Sequence, residues 1–400
     1  MNRLRPRVYE AMMAWHLKRY RQMVFLTGPR QVGKTTTSRG LGSVCLNWDD
    51  MGDRETILAG TSALAGKLGL AGIRRAPVVA VLDEIHKWGK WQGFLKGFFD
   101  TYGDRVRLIV TGSSRMDVYR RGGDSMMGRY FLYHMHPFSV GEIARQDSPD
   151  TPVRPPMKVS EVEFKSLWEH GGYPEPFLRR DRRFDVRWRS MRRQQLLRAD
   201  IRDLTRLQEL SQIEVLVDLL NTRSATTLVL SHLAGTIRTS VDTVGRWVTT
   251  LASLHHGFLV RPWHRRISRS LVKEPKWYLR DWSGVKDPGA RAETFLACHL
   301  LKAVEGWTDL GLGDFALHYL RDKEGREVDF AVIRDGKPWF LVETKMSEDG
   351  LNPALLHFQR LTGATNAFQA VVNAPFVEAD CFKRKDPVIV PARTLLSQLL

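Results

Sequence analysis

The run Gly28-Pro29-Arg30-Gln31-Val32-Gly33-Lys34-Thr35 fits the pattern GxxxxGK[ST] and directly follows the apolar segment MVFLT. Glycines let such a loop curl so that its backbone N–H groups point inward, and a helix starting at Lys34 adds the positive end of its dipole to the same nest. The chemistry implied is the cradling of a nucleoside triphosphate tail by residues 28–36, closing with Thr36: Lys34 for the β and γ phosphates, Thr35 for Mg²⁺. A second run, VVAVLDE from Val78 to Glu84, buries a strand and ends in two acids. Charge at the carboxyl end of a buried strand fits a waiting cation or water, so Asp83 is expected in the Mg²⁺ shell and Glu84 as the group polarising the attacking water. Ser113, after the strand VRLIVT, is the expected hydroxyl near the γ-phosphate, and Arg129 a charge-neutralising finger acting across a subunit boundary.

Those groups need a scaffold. Met23–Thr27, Val44–Asn47, Val78–Asp83 and Val106–Thr111 are short, apolar and bounded by Gly, Pro or charge, with amphipathic stretches between them. This alternation predicts a parallel α/β sheet. At 400 residues the chain is too long for one core. Pro152, Pro155 and Pro156 mark a linker. Expected divisions are a nucleotide-binding domain over 1–145, a linker and Arg-rich helical segment over 146–204, a winged-helix-like domain over 205–284 and a last α/β domain over 285–400.

Lys and Arg number 61 against 44 Asp and Glu, a formal charge of +17, which points to a polyanionic partner, nucleic acid before an acidic membrane. Residues 179–198 carry nine arginines against Asp181 and Asp185, either a solvated helix face or a phosphate-tracking surface. From Leu228 a short helix is expected to break at Gly235. Ser240 then caps a second helix with Val244, Trp247, Val248, Leu251 and Leu254 on one face, and a strand runs Phe258–Pro262. That order is a winged helix, offering Arg238, Thr243 and Arg246 to DNA. Cys45, Cys298 and Cys381 fit neither a disulfide framework nor a zinc site, and His134, His136, His255 and His256 lack ligand spacing. Without a secretory or membrane-length apolar run, the chain is expected in the cytoplasm.

Taken together, GPRQVGKTT, LDEIHK, TGSS, Gly128-Arg129, HPFSVGEI, HGGYPEPFL and RADIRDL make the chain, along nearly its whole length, resemble bacterial and archaeal AAA-type (AAA_14-like) ATPases carrying a C-terminal DUF4143 domain. The resemblance implies a P-loop AAA+ module, a winged-helix segment and a C-terminal domain similar to the restriction-endonuclease-like PD-(D/E)xK superfamily. It implies ATP and Mg²⁺ as cofactors, and a homo-oligomer. Within the last domain it implies Asp329 and Glu343 as metal ligands, Lys345 as the group steadying water or phosphate, and Glu293 as a helix-borne acid. One departure stands out: after WYLRDW the relatives' DTGL-like turn is replaced by Ser283-Gly284-Val285-Lys286.

Strand parity sets a condition on this. A two-residue Asp335-Gly336 turn would pair Asp329 with Val342 and put Glu343 on the other face, so a three-residue Arg334-Asp335-Gly336 loop is expected. The leading expectation is an ATP-driven enzyme acting on nucleic acid, DNA favoured. The alternative is a nucleotide-gated DNA-binding or protein-interaction regulator with slow turnover and an inactive nuclease fold.

Overall fold

The computed structural model describes residues 5–72, 75–112, 126–201, 209–263, 274–348 and 350–400, with backbone alone at 198–200. The chain divides into two compact units. One is Met1–His136 with Arg145–Ser148; the other is Pro137–Ala144 with Pro149–Leu400.

In the first unit, β1 (Met23–Thr27), β2 (Val44–Asn47), β3 (Val78–Asp83), β4 (Val106–Thr111) and β5 (Tyr130–His134) form a parallel sheet in the order β2-β3-β4-β1-β5. Four of these strands coincide with the runs expected from hydrophobicity. They read as unbroken apolar segments because helices cover both faces, and every residue of β1 is buried. Parallel pairing aligns the strand ends: Leu26 lies beside Thr111, and Thr111 beside Asp83. The Gly28 loop, Asp83 and Thr111 therefore meet at one edge of a P-loop AAA+ type α/β core, where ligands of open parallel sheets bind.

The second unit is mixed α/β. Its sheet contains β6 (Thr226–Thr227), β7 (Gly257–Pro262), β8 (Lys276–Leu279), β9 (Phe315–Arg321), β10 (Glu327–Arg334), β11 (Lys337–Lys345), β12 (Asn366–Val371) and β13 (Val388–Pro391), in the order β13-β12-β11-β10-β9-β7-β8-β6. Helix Leu230–Ile237, helix Val241–Ser253, β7 and β8 give the helix, helix, hairpin order expected of a winged helix. Gly235 does not end the first of these helices: it lies inside it, and Arg238, left-handed at φ 58°, ends it instead. Ser240 Oγ accepts from Thr243 N–H at 3.1 Å, starting the next helix. That helix buries Val244, Trp247, Val248 and Leu251, each contributing about 1.5–3 kcal/mol of apolar transfer. Parallel pairing of β7 with β9 makes the winged-helix strands continuous with the rest of the sheet. The 22-residue helix Pro288–Asp309 lays Phe295, Leu300 and Trp307 into a core shared with Phe330, Phe340 and Phe368.

Candidate functional site: a phosphate loop and a buried acidic cluster

The phosphate loop curls as its glycines allow. Gly28 has φ 148° and Gly33 φ 101°, and a Cβ on Gly28 would lie 2.2 Å from the Met135 carbonyl oxygen, so no other residue fits there. Helix Lys34–Arg39 starts at the predicted residue, its first bond running from Thr37 N–H to the Gly33 carbonyl at 2.9 Å. Lys34 is buried and donates from Nζ to the Gly28 and Pro29 carbonyls, each at 2.8 Å, which sets its ammonium inside the loop. Pro29 and Val32 are buried, whereas Arg30, Gln31 and Thr36 are exposed.

Thr35 and Asp83 stand together. Thr35 Oγ1 donates to Asp83 Oδ2 at 2.8 Å, and Thr111 Oγ1 donates to Asp83 Oδ1. A hydroxyl and a buried carboxylate facing one another beside the loop are hard oxygen donors of the kind Mg²⁺ takes alongside phosphate oxygens, so this donor set fits the ion. Glu84 follows at φ 59°, a left-handed conformation that a non-glycine residue holds only where its surroundings impose it. Its N–H donates to the Thr111 carbonyl at 3.1 Å, and its half-buried carboxylate faces Lys87 Nζ at 3.4 Å.

Arg129 lies elsewhere. It precedes β5, and its carbonyl accepts from Met23 N–H, which places it at the end of the sheet opposite the loop. Its guanidinium makes a two-pronged contact with Asp100, at 2.7 and 2.9 Å. This hydrogen bond pulls the Asp100 carboxyl below its ordinary range. Arg129 is therefore not part of its own chain's phosphate site. Ser113 lies outside the described residues.

Arg238 and Arg246 are placed differently from Thr243 in their freedom to meet a partner. Arg238 and Arg246 are exposed, while Thr243 is half-buried and its Oγ1 meets Ser240 Oγ at 2.9 Å and accepts from Arg246 Nη2 at 3.2 Å. Helix Arg182–Gln195 presents the densest charge. Its carboxylate Asp185 is turned inward onto His170 Nδ1 at 2.6 Å, leaving Arg182, Arg183 and Arg187 exposed on the outer face.

In the second unit the three acids and lysine of the expected nuclease site are brought together by a different device from the expected loop. The β10–β11 turn is the two-residue Asp335-Gly336, with φ 49° and 78°, and not the three-residue loop. The register nevertheless shifts between Val332 and Ile333, where Trp339 is an extra residue on β11. Beyond this bulge Phe330 pairs with Val342, so Asp329 falls opposite Glu343 on one face. Asp329 Oδ2 accepts from Thr344 N–H at 2.9 Å. Glu343 Oε1 accepts from Lys345 Nζ at 2.9 Å and Asn352 Nδ2 at 2.8 Å, while its buried Oε2 has no partner among the described residues.

A residue not singled out from sequence occupies the centre. Lys276, buried on β8, places Nζ 2.8 Å from Glu293 Oε1, 2.5 Å from Glu327 Oε1 and 3.6 Å from Asp329 Oδ1. Tyr278 Oη donates to the same Glu293 Oε1 at 2.6 Å. Burial favours the neutral amine, but the carboxylates of Glu293, Asp329 and Glu327 outweigh it and hold the ammonium charged above its usual range. Burial, then repulsion from Glu293 and Glu343, pushes the Asp329 carboxyl well above the ordinary value. Among the described residues no three carboxylate, imidazole or thiolate groups converge to hold a metal ion. The expected Mg²⁺ ligation by Asp329 and Glu343 therefore meets a competitor: an ammonium stands among the acids, and Glu343 Oε1 is engaged by Lys345 and Asn352.

Sequence reading also missed Arg7. Buried beside the loop, it donates from Nη1 to the Val32 carbonyl and from Nη2 to the His136 carbonyl, both at 2.6 Å. A lone arginine near the start of a basic chain carries no spacing signal. Asp281, on the departing WYLRDWSG turn, accepts from Ser283 N–H at 3.1 Å and Ser283 Oγ at 2.7 Å, a local cap.

No helix among the described residues is long and apolar enough to cross a membrane. The chain is 23% identical over 334 residues to the uncharacterized proteins Rv2008c of Mycobacterium tuberculosis and Mb2031c of Mycobacterium bovis, covering 79% of this chain and 69% of each of those. Among solved structures it is similar to the Aeropyrum pernix ORC1 protein in complex with DNA, at 14% identity and a TM-score of 0.33, over 73% of this chain and 93% of that one. It is also similar to katanin, at 14% identity and a TM-score of 0.26, over 50% and 70% of the two chains. Residues 161–285 match a domain of unknown function, DUF8612, in place of the DUF4143 named by resemblance. Residues 20–144, which hold the phosphate loop, Asp83 and Glu84, match the AAA domain family.

Proposed function

We propose that the chain binds and hydrolyses ATP with Mg²⁺ and acts on nucleic acid, DNA in preference. The observation that carries this reading is the meeting of Thr35 and Asp83 at 2.8 Å beside a loop whose lysine points inward. Lys34 and the backbone N–H groups of residues 30–35 bind the triphosphate, Thr35 and Asp83 hold Mg²⁺, and Glu84 accepts a proton from the attacking water. The metal supplies charge neutralisation on the phosphates when bound. Glu84 sits one residue past Asp83 and is left-handed at φ 59°. Support for a polyanionic partner comes from the net charge of +17 and from the exposed arginines of helix Arg182–Gln195. Arg238, Thr243 and Arg246 supply further contacts from the winged helix. Assembly into a homo-oligomer would let Arg129 reach a neighbouring copy's nucleotide, on condition that it leaves Asp100.

The test is ATP turnover with and without DNA at low salt. The reading expects Lys34→Ala to abolish ATP binding, Glu84→Gln to bind ATP without turnover, and DNA to raise the wild-type rate. A rate indifferent to DNA would favour the second reading, a nucleotide-gated regulator with an inactive nuclease fold. Lys276, lodged among the C-terminal acids, is the observation on that side.

A further inference from the structure

We infer that Lys276 is a built-in counterion that takes the place of a divalent ion among Glu293, Glu327 and Asp329, so that the C-terminal unit holds its partner without metal-dependent strand cleavage. The inference does not depend on the ATPase reading, because every residue in it belongs to the second unit.

Three carboxylates reach one ammonium there because of where the fold places them. Glu293 projects from the long helix Pro288–Asp309, while Glu327 and Asp329 lie two apart on β10 and so share a face. Acids this close repel strongly in a buried setting and require a cation. In a metal-dependent site that cation is the divalent ion, which also lowers the pKa of a bound water. Here it is an ammonium carried by the chain itself. Lys276 reaches the acids because β8 joins the sheet through β7, and β7 pairs with β9 alongside β10.

Lys276 is also held in place. Its Nζ contacts all three carboxylates between 2.5 and 3.6 Å and lies 5.7 Å from the centre of the Tyr319 ring. One oxygen of each of three acids is already committed. Glu293 Oε1 accepts from both Lys276 and Tyr278, Asp329 Oδ2 from Thr344 N–H, and Glu343 Oε1 from Lys345 and Asn352. A lysine neither polarises a phosphoryl oxygen as a Lewis acid nor generates a metal-bound hydroxide, so the cluster keeps a cation among its acids and loses the hydrolytic function.

The experiment is a titration of the full chain with Mn²⁺, followed by electron paramagnetic resonance and without nucleotide, alongside an assay of Mn²⁺-dependent nicking of supercoiled plasmid. The expected result is no saturable Mn²⁺ binding that depends on Asp329, and no nicking. Lys276→Gln is expected to gain one equivalent of bound Mn²⁺, lost again in Lys276→Gln/Asp329→Asn. Stoichiometric Mn²⁺ on the wild type that disappears in Asp329→Asn would overturn the inference, as would a folded Lys276→Gln protein that gains no metal. If Lys276→Gln fails to fold by circular dichroism, comparison of wild type with Asp329→Asn still decides the matter. ATP turnover, read separately, reports on the other unit.

Discussion

Thr35 and Asp83, 48 residues apart in the chain, meet through a 2.8 Å hydrogen bond in which the threonine hydroxyl donates to the carboxylate. Magnesium entering with ATP would compete for both oxygens, so the bond links loop and strand before the cofactor arrives. Asp83→Asn is expected to weaken Mg²⁺-dependent ATP binding measured by calorimetry. Glu84→Gln should retain that binding and lower turnover by about 10²–10⁴-fold, the usual contribution of a positioned base. Equal loss of binding in both variants would contradict the division of roles.

Arg7 braces the same loop from behind, through the Val32 and His136 carbonyls. Arg7→Ala leaves two buried acceptors without this donor, at a cost of about 1–3 kcal/mol for each. A lowered melting temperature together with weakened ATP binding is the expected outcome. Unchanged ATP affinity in a folded Arg7→Ala protein would confine the residue to packing.

The second unit contains a fully buried ion pair between Glu142 and Lys302, the lysine also donating to the Pro137 carbonyl at 3.1 Å. Removing one partner strands a charge, so Lys302→Met should cost about 3–5 kcal/mol in denaturant unfolding, while Glu142→Gln/Lys302→Met should recover most of it. Additive losses in the double variant would rule out the pairing.

Two histidines, the half-buried His256 and the buried His299, make stability depend on pH. Burial, aided by Arg192 and Arg193, lowers the His256 pKa to about 4, and burial lowers that of His299 to about 3. Each stays neutral in the folded state and takes up a proton on unfolding below the ordinary value of 6.5. Stability is therefore complete above that value and falls as pH drops from it toward 4 and 3, by at most about 1.4 kcal/mol per pH unit for each histidine. Asp329, whose pKa is raised, acts in the opposite direction. The measurement is thus the difference between wild type and His256→Gln/His299→Gln, whose unfolding free energy should fall less steeply across that range.

On the outer face of helix Arg182–Gln195, replacing Arg182, Arg183 and Arg187 with Ala should weaken DNA binding by fluorescence anisotropy. The salt slope should drop by about 0.7–0.9 for each phosphate no longer neutralised. Arg246→Ala provides a comparison between this helix and the winged helix. An unaltered slope in the triple variant would assign the phosphate-binding surface elsewhere.

Much of the first unit was legible because its signals are local. A glycine-rich loop needs only neighbouring residues to take its shape, and a strand buried on both faces shows as an apolar run, so Gly28 to Thr35, Asp83 and Glu84 stand out by order and spacing. Arg7 does not, since its partners Val32 and His136 become neighbours only once β1 and β5 pair. Gly235 misleads as a helix end because glycine's propensity is weak against packing, and Leu233, Ala234 and Ile237 are buried around it.

By itself, then, the sequence determined the phosphate loop, the acid pair after β3, the helix-turn-helix order and the basic character of the chain, each set by residues close in sequence or by composition. Tertiary structure alone decided the fate of the C-terminal acids. The extra residue Trp339 restores Asp329 and Glu343 to one face despite a two-residue turn, and Lys276 reaches Glu293, Glu327 and Asp329 through a strand order that no spacing records. Register and long-range charge pairing arise from how strands assemble, and a single bulge or one distant lysine is enough to change what a motif can do.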